Sequence, residues 1–256
     1  MELLSEYILE INHISVCFDG FYALTDVTTK IKRNSIHFFI GPNGAGKTTL
    51  LDIICAKTKP TSGTVVFNPM YKEPITLTGM PEYEIVWNGI GRKFQVPSVF
   101  VNLTVEDNMV LSLSGGKRIV DSILRTPSDE QNEHINSLLK QVGLFEKKNF
   151  RAGALAHGEK QWLEIAMQLV QEPELIMLDE PAAGMGKPET FKSGEILKKI
   201  KKDCTIIVIE HDMDFVKQIA DTVTVLHEGK ILMEGSVESA LADKTVQAVY
   251  LGRGKE

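Results

Sequence analysis

The chain has 256 residues, of which 43% are hydrophobic and 24% charged, with a formal net charge of −6. This composition suits one large domain or two closely joined subdomains with a substantial core, and it excludes a disordered chain. The acidic balance argues against a broad surface for nucleic acid or anionic lipid, although backbone donors and one lysine can still build a local phosphate site.

Three cysteines, Cys17, Cys55 and Cys204, lie far apart. They match no zinc spacing and offer no disulfide framework, so a reducing cytosol is expected. The opening MELLSEYILEI carries acids where a secretory leader would be basic. Apolar runs such as IIVI at 206–209 are strand-sized, far short of the roughly 18 to 20 residues that span a bilayer. Any role in transport therefore requires separate membrane partners.

Taken in order, ILEINHISVCF, VTTKI and IHFFI read as strands, the last running into a glycine loop. Residues 48–56 (TTLLDIICA) form a compact apolar helix, and PTSGTVVF returns to strand. From about 96 to 155 the pattern turns helical, with Ile135, Leu138, Leu139 and Val142 on one face. Trp162, Ile165, Ala166, Leu169 and Val170 repeat at helical spacing over 158–171. Two short apolar runs then end in acids: LIMLDE (175–180) and TIIVIEHD (205–212). TVTVL leads into a glycine-bearing hairpin, HEGKILMEG. Alternating strands and helices predict a mostly parallel α/β sheet with a helical insertion. The expected division is a core from 1–95 and 160–256, interrupted by a helical subdomain at 96–159.

Gly41-Pro42-Asn43-Gly44-Ala45-Gly46-Lys47-Thr48 fits G-x-x-x-x-G-K-[ST] between a strand and a helix. Glycines let consecutive N–H groups turn toward phosphate oxygens, and the helix adds its positive N-terminal end. Lys47 is placed to reach the β- and γ-phosphates, and the Thr48 hydroxyl to ligate Mg²⁺. LIMLDE would deliver Asp179 to the carboxyl edge of the sheet beside that loop, where it would hold the Mg²⁺ shell. Glu180 is placed to polarise the attacking water. The next strand ends in Glu210-His211-Asp212, so His211 lies where it can bond the γ-phosphate and fix that water. Gln95 stands just before the helical stretch, where a neutral amide can meet both Mg²⁺ and water; pattern alone would rank it low.

With these residues in this order, the chain resembles the ATP-binding subunits of ABC transporters over nearly its whole length. GPNGAGKTT looks like the Walker A motif, which takes in Thr49, and LIMLDE like Walker B. Gln95 looks like the Q-loop glutamine and His211 like the switch histidine. The resemblance implies a P-loop, RecA-like core with an antiparallel β subdomain and an inserted helical subdomain. It also implies ATP and Mg²⁺ as ligands, and an adenine stacked on Phe18, with Tyr22 as the competing aromatic.

Two segments compete for the family's LSGGQ signature. Residues 113–117 (LSGGK) match better by letter, but no amphipathic helix leads from them to Walker B. Leu155-Ala156-His157-Gly158-Glu159 matches less well yet opens the helix through Trp162. Position and helix favour 155–159, leaving 113–117 as a surface turn. Ala156 lacks the usual serine hydroxyl, His157 replaces a glycine, and Gly186 stands where an aspartate usually crosses the dimer interface. Unequal ATP sites in the working dimer are therefore expected.

The stretch LAHGEKQWLEIAMQLVQEPELIMLDEPAAGM, with the terminal V-x-x-x-Y-L-G, resembles the branched-chain amino-acid and urea importer branch. GRKFQVPSVF and the H-G-x-K-Q-W-L-E-I string are most similar to the urea-transporter subunits known as UrtD. The resemblance implies two membrane permease subunits, a second related ATPase subunit or a second copy, and an indirectly coupled extracytoplasmic solute-binding protein. It implies no nucleic-acid partner, a permease contact near 96–100, and a peripheral position on the cytoplasmic face of the membrane. An exporter ATPase is the rival within the class.

Overall fold

The computed structural model describes residues 5–93, 99–113 and 127–251. Two long strands, β1 (Tyr7–Phe18) and β2 (Phe21–Lys32), pair antiparallel as a hairpin. With β4 (Ser62–Phe67) and β5 (Ile75–Thr76) they form a four-stranded sheet of order β2-β1-β4-β5.

The second sheet has six strands in the order β10-β9-β3-β8-β7-β6. β3 (Ile36–Ile40), β6 (Ile90–Lys93), β7 (Leu175–Asp179), β8 (Thr205–Ile209) and β9 (Thr222–His227) run parallel. β10 (Lys230–Gly235) closes the edge antiparallel to β9. Strands β3, β7 and β8 are buried at every position, which is why they read as continuous apolar runs and not as alternating ones.

Alternate residues of these strands enter two separate cores. Ile36, Phe38, Ile176, Leu178, Ile206 and Val208 join one cluster; Phe39, Leu175, Met177, Ile207 and Ile209 join the other. The second cluster packs α1 (Lys47–Ile54) and the antiparallel sheet against the parallel one. The first packs α3 (Val105–Ser112), α4 (Asp129–Gln141), α5 (His157–Leu169), α6 (Lys187–Ile200) and α7 (Met213–Ile219) on the opposite face. The helices of the middle segment therefore share a continuous core with the sheet. Two short helices, α8 (Val237–Ala242) and α9 (Lys244–Leu251), follow the last strand.

Local chemistry starts these helices where they start. Thr104 and Ser128 cap α3 and α4, each accepting from the third backbone N–H while Asp107 and Gln131 reach back. Among the described residues no helix is long and apolar enough to cross a membrane.

Several elements escape sequence reading, β5, α8 and α9 among them. The short helix α2 (Glu82–Trp87) and strand β6 both lie in a stretch with little periodicity. I-G-R-K shows neither alternation nor an apolar run, because β6 is a four-residue edge strand specified by pairing with β7.

Candidate functional site

The glycine loop joins the end of β3 to α1 and lies at the carboxyl edge of the parallel sheet. Its shape requires glycine at two positions. Gly41, at φ +146°, lies against the carbonyl oxygen of Leu226, where a Cβ would collide. Gly46, at φ +99°, would push a Cβ to 2.5 Å from Leu24 Cδ2 and 2.7 Å from Ala23 O. That contact seats the loop on the β1–β2 hairpin, and Gly229 N–H donating to Ala45 O (3.2 Å) ties it to the β9–β10 turn.

Helix α1 opens at Gly46 with no side-chain cap and no acidic residue in its first turn. Its initial N–H groups and positive dipole end are thus kept for an external anion. Asn43 and Gly44 are exposed, Ala45 is buried, and Thr48 and Thr49 stand exposed and half-buried in the first turn. Lys47 Nζ donates to the loop's own carbonyls, Gly41 O at 2.7 Å and Pro42 O at 3.0 Å. The ammonium is thus held against the loop's own carbonyls, which are weaker acceptors than anionic oxygens.

Asp179 ends β7 and is only 3% exposed. Its Oδ1 has no hydrogen-bond partner among the described residues. Burial pushes its carboxyl above the usual range; Arg92 and Lys47 oppose that, and the neighbouring charges of Glu180 and Asp52 add to it. An orphaned, desolvated carboxylate beside a phosphate loop is a fit for a hard divalent cation, and the donor set of Thr48 and Asp179 is all oxygen.

Glu180 follows in a left-handed conformation, φ +48°, unusual for a side chain with a Cβ and typical of functional sites. Its N–H still donates to Ile209 O at 3.0 Å, so the bend begins only after the last rung of the ladder. From the end of β8, His211 brings Nδ1 to 3.6 Å from Glu180 Oε1. Asp212 fixes the histidine's exit by capping α7, accepting from Asp214 N at 2.9 Å and Phe215 N at 3.3 Å. Between them Glu210 is buried, and burial raises its carboxyl above the usual range despite backbone N–H bonds from Ala182 and His211.

Lys47, Asp179, Glu180 and His211 are thus gathered at one sheet edge. Gln95 lies outside the described residues, as do 114–117 of the rejected signature segment; Leu113 caps the end of α3. Phe18 closes β1 and pairs across the turn with Phe21. Phe18, Phe21 and Tyr22 are all exposed at that tip.

Residues 155–159 open α5 with Leu155 buried and His157 exposed on its first turn. Glu159 accepts from the N–H of Ala156 at 3.1 Å and binds Lys147 at 2.6 Å. Burial raises its carboxyl, but these bonds outweigh it and hold the group below the usual range. Gly186 caps α6, with Glu189 reaching back to its N–H at 3.0 Å.

Arg92 was not singled out by sequence. It pairs its backbone with Met177 and its guanidinium, almost buried, with Asp52 of α1 at 2.5 Å. Only its place three residues before Gln95 could have signalled it. A hollow of about 400 Å³ opens between α4 and the ends of α5 and α6, lined by residues including His134, Leu169 and Cys204; none of Lys47, Asp179, Glu180 and His211 lines it.

Comparison with known proteins identifies the family. Residues 24–183 match the family model described as ABC transporter. The chain is 34% identical to the high-affinity branched-chain amino acid transport ATP-binding protein LivG of Salmonella typhimurium, covering 97% of this chain and 99% of that one. It is 31% identical to BraF, of the same description, from Pseudomonas aeruginosa, with the same coverage. Among solved structures, the ADP conformation of MJ1267, an ATP-binding cassette of an ABC transporter, superposes with a TM-score of 0.84 at 28% identity, covering 97% of this chain and all of that one. CbiO1 from Clostridium perfringens, part of the transporter complex cbiONQ, gives 0.80 at 29% identity, covering 98% of this chain and 96% of that one. The chain belongs to the ABC transporter family, as an ATP-binding and ATP-hydrolysing subunit.

Proposed function

We propose that this chain powers a branched-chain amino-acid importer, hydrolysing ATP to drive separate membrane permeases. The observation that carries the solute class is full-length similarity to LivG and BraF. The urea expectation, drawn from the H-G-x-K-Q-W-L-E-I string, is not matched by these relatives and becomes the second arm of the test.

In this reading the loop 41–48 and the N-terminus of α1 bind the phosphates, and Lys47 turns from its two carbonyls onto the β- and γ-oxygens. Mg²⁺, when bound, neutralises charge developing on the transferred phosphoryl group. Thr48 and the orphaned oxygen of Asp179 would hold that ion, and the resemblance assigns Gln95, outside the described residues, to the same role. Glu180 accepts a hydrogen bond from the attacking water, and His211 holds the γ-phosphate and keeps Glu180 oriented. Phe18 stacks on the adenine.

Residues 155–159 serve the nucleotide of a second ATPase subunit, related or identical, through the N-terminus of α5. Paired with a related subunit that keeps the usual serine and glycine, Ala156 and His157 make the two sites unequal; paired with a second copy, the sites are equal by symmetry. Closure of the pair shifts the permeases between their two states. Of the permease contact expected at 96–100, residues 96–98 lie outside the described residues; Phe100, half exposed on a backbone pinned by the buried Asn108, offers the described part of it. The chain sits peripherally at the cytoplasmic face, coupled indirectly to an extracytoplasmic solute receptor.

The test is ATPase activity of the complete complex in lipid with its receptor, given leucine, urea or no solute. Stimulation by leucine supports the proposal. Stimulation by urea alone moves the solute, and stimulation by neither in an intact complex points to an exporter.

A further inference from the structure

Two deeply buried polar side chains are given no role with phosphate, metal or water in the reading above: Gln161, 1% exposed, and Glu210, 2% exposed. Both hold the same short loop, 181–186, which leaves Glu180 and enters α6. On one side, Glu210 Oε1 accepts from Ala182 N–H at 3.0 Å, and its Oε2 accepts from His211 N–H at 3.1 Å. A carboxylate can offer one acceptor to each donor at once; an amide cannot. On the other side, Gln161 Nε2 donates to Ala183 O at 3.3 Å and lies 3.0 Å from His157 Nε2. Because Ala183 O only accepts, the amide nitrogen must face it. The same nitrogen then meets His157 Nε2, which must accept, leaving the imidazole proton on Nδ1.

The loop has little slack between these clamps. Ala183 N–H bonds Glu180 O at 3.1 Å, and Met185 N–H bonds Ala182 O at 3.1 Å. The Met185 methyl lies 3.3 Å from where a Cβ on Gly158 would stand, and the imidazole of His157 lies 3.5 Å from the corresponding point on Gly184. Hydrogen bonds and the covalent backbone of Ala182–Ala183 thus link the His211 N–H through Glu210, the loop and Gln161 to the His157 imidazole. Burying a carboxylate is costly, and a neutral residue would pack more cheaply if packing were its only role.

We infer that Glu210 and Gln161 are positioning residues that couple the Glu180–His211 pair to the signature residue His157 through the loop 181–186. The inference rests on the nucleotide reading above and gives it a regulation: a subunit's hydrolysis centre and its grip on the partner's nucleotide move together. Such coupling is reciprocal, and a two-variant cycle is the direct measure of it.

The experiment uses the complete transporter in lipid and compares Glu210→Gln, Gln161→Leu and the double variant, with melting temperature as a folding control. Each single variant is expected to lower kcat about tenfold while the KM for ATP stays within about twofold. The double variant should be no slower than the slower single, because both cut one connection. If Glu210→Gln melts early, Gln161→Leu, which touches neither Glu180 nor His211, decides by the same split of kcat from KM. Singles with kcat within twofold of the parent, or a double variant whose loss is the product of the two, would overturn the coupling while leaving the ATPase assignment standing. A parent complex that hydrolyses no ATP would overturn the nucleotide reading and the coupling with it.

Discussion

Glu180 Oε1 lies 3.6 Å from His211 Nδ1, and the two residues reach that distance from the ends of adjacent parallel strands. The pairing of β7 with β8 sets the spacing, and the left-handed backbone at Glu180 breaks the strand there, with the carboxylate facing His211. The histidine is 68% exposed and the glutamate 34%, so the pair is open to water.

This geometry predicts that Glu180→Gln keeps ATP affinity but lowers kcat by at least ~100-fold, the scale of a lost general base. The closed dimer should accumulate with ATP, measured by size-exclusion chromatography with bound nucleotide. Near-normal steady-state turnover would remove Glu180 from the proposed role. His211→Ala should lower kcat similarly, with less effect on ATP binding than Lys47→Ala.

Asp179→Asn is expected to make the protein inactive and more stable. Burial, with Glu180 and Asp52 nearby, raises the folded pKa of Asp179 above its unfolded value, so its ionised form destabilises the fold. That penalty is complete above the folded pKa and fades as pH falls through it. The variant should therefore melt higher at pH 8, by about 2–4 °C for each kcal/mol recovered, with the gap narrowing at acid pH. A lower melting temperature at pH 8 without added Mg²⁺ would contradict this account.

His37 predicts the opposite dependence on acid. It is fully buried in β3, and burial lowers its pKa to about 3. Thr224 Oγ1 lies 2.7 Å away and gives its own proton to Glu234, so the imidazole must donate from Nε2. The unfolded chain binds a proton near pH 6.5 that the folded chain refuses, so stability is full above that value and lost as pH falls toward 3. His37→Phe should cost about 1 kcal/mol at pH 7.5 for the lost hydrogen bond. Between pH 6.5 and 4.5 it should lose less stability than the parent, as followed by urea titration.

The loop glycines should separate by their surroundings. Gly46→Ala meets Leu24 and Ala23 and a positive φ together, whereas a Cβ at Gly44 (φ +79°) has open space. Gly44→Ala then costs only backbone strain, about 1–2 kcal/mol. Gly46→Ala should melt several degrees lower than Gly44→Ala by calorimetry, and equal melting would show that the hairpin does not brace the loop.

Much of this protein was legible in its sequence because its chemistry is local. The glycine loop, the strand ending in Asp179-Glu180 and the strand ending before His211 each combine a burial pattern with a polar terminus. Burial on both faces of a parallel sheet leaves apolar runs that periodicity can find. The helix opening at 155–159 was distinguishable from the rival at 113–117 for a similar reason: an amphipathic stretch follows only the former.

Other features were decided by tertiary structure alone. Edge strand β6 has no pattern of its own and exists because β7 offers it a ladder, which brings Arg92 to Asp52. Glu210 and Gln161 look like ordinary polar residues in sequence; they become partners of one loop only when β8 and α5 are packed on either side of it. The order β3-β8-β7 is fixed by long-range pairing, and with it the 3.6 Å between Glu180 and His211. Residues distant in the chain acquire such spacing from the packing of whole elements, which no local window of sequence encodes.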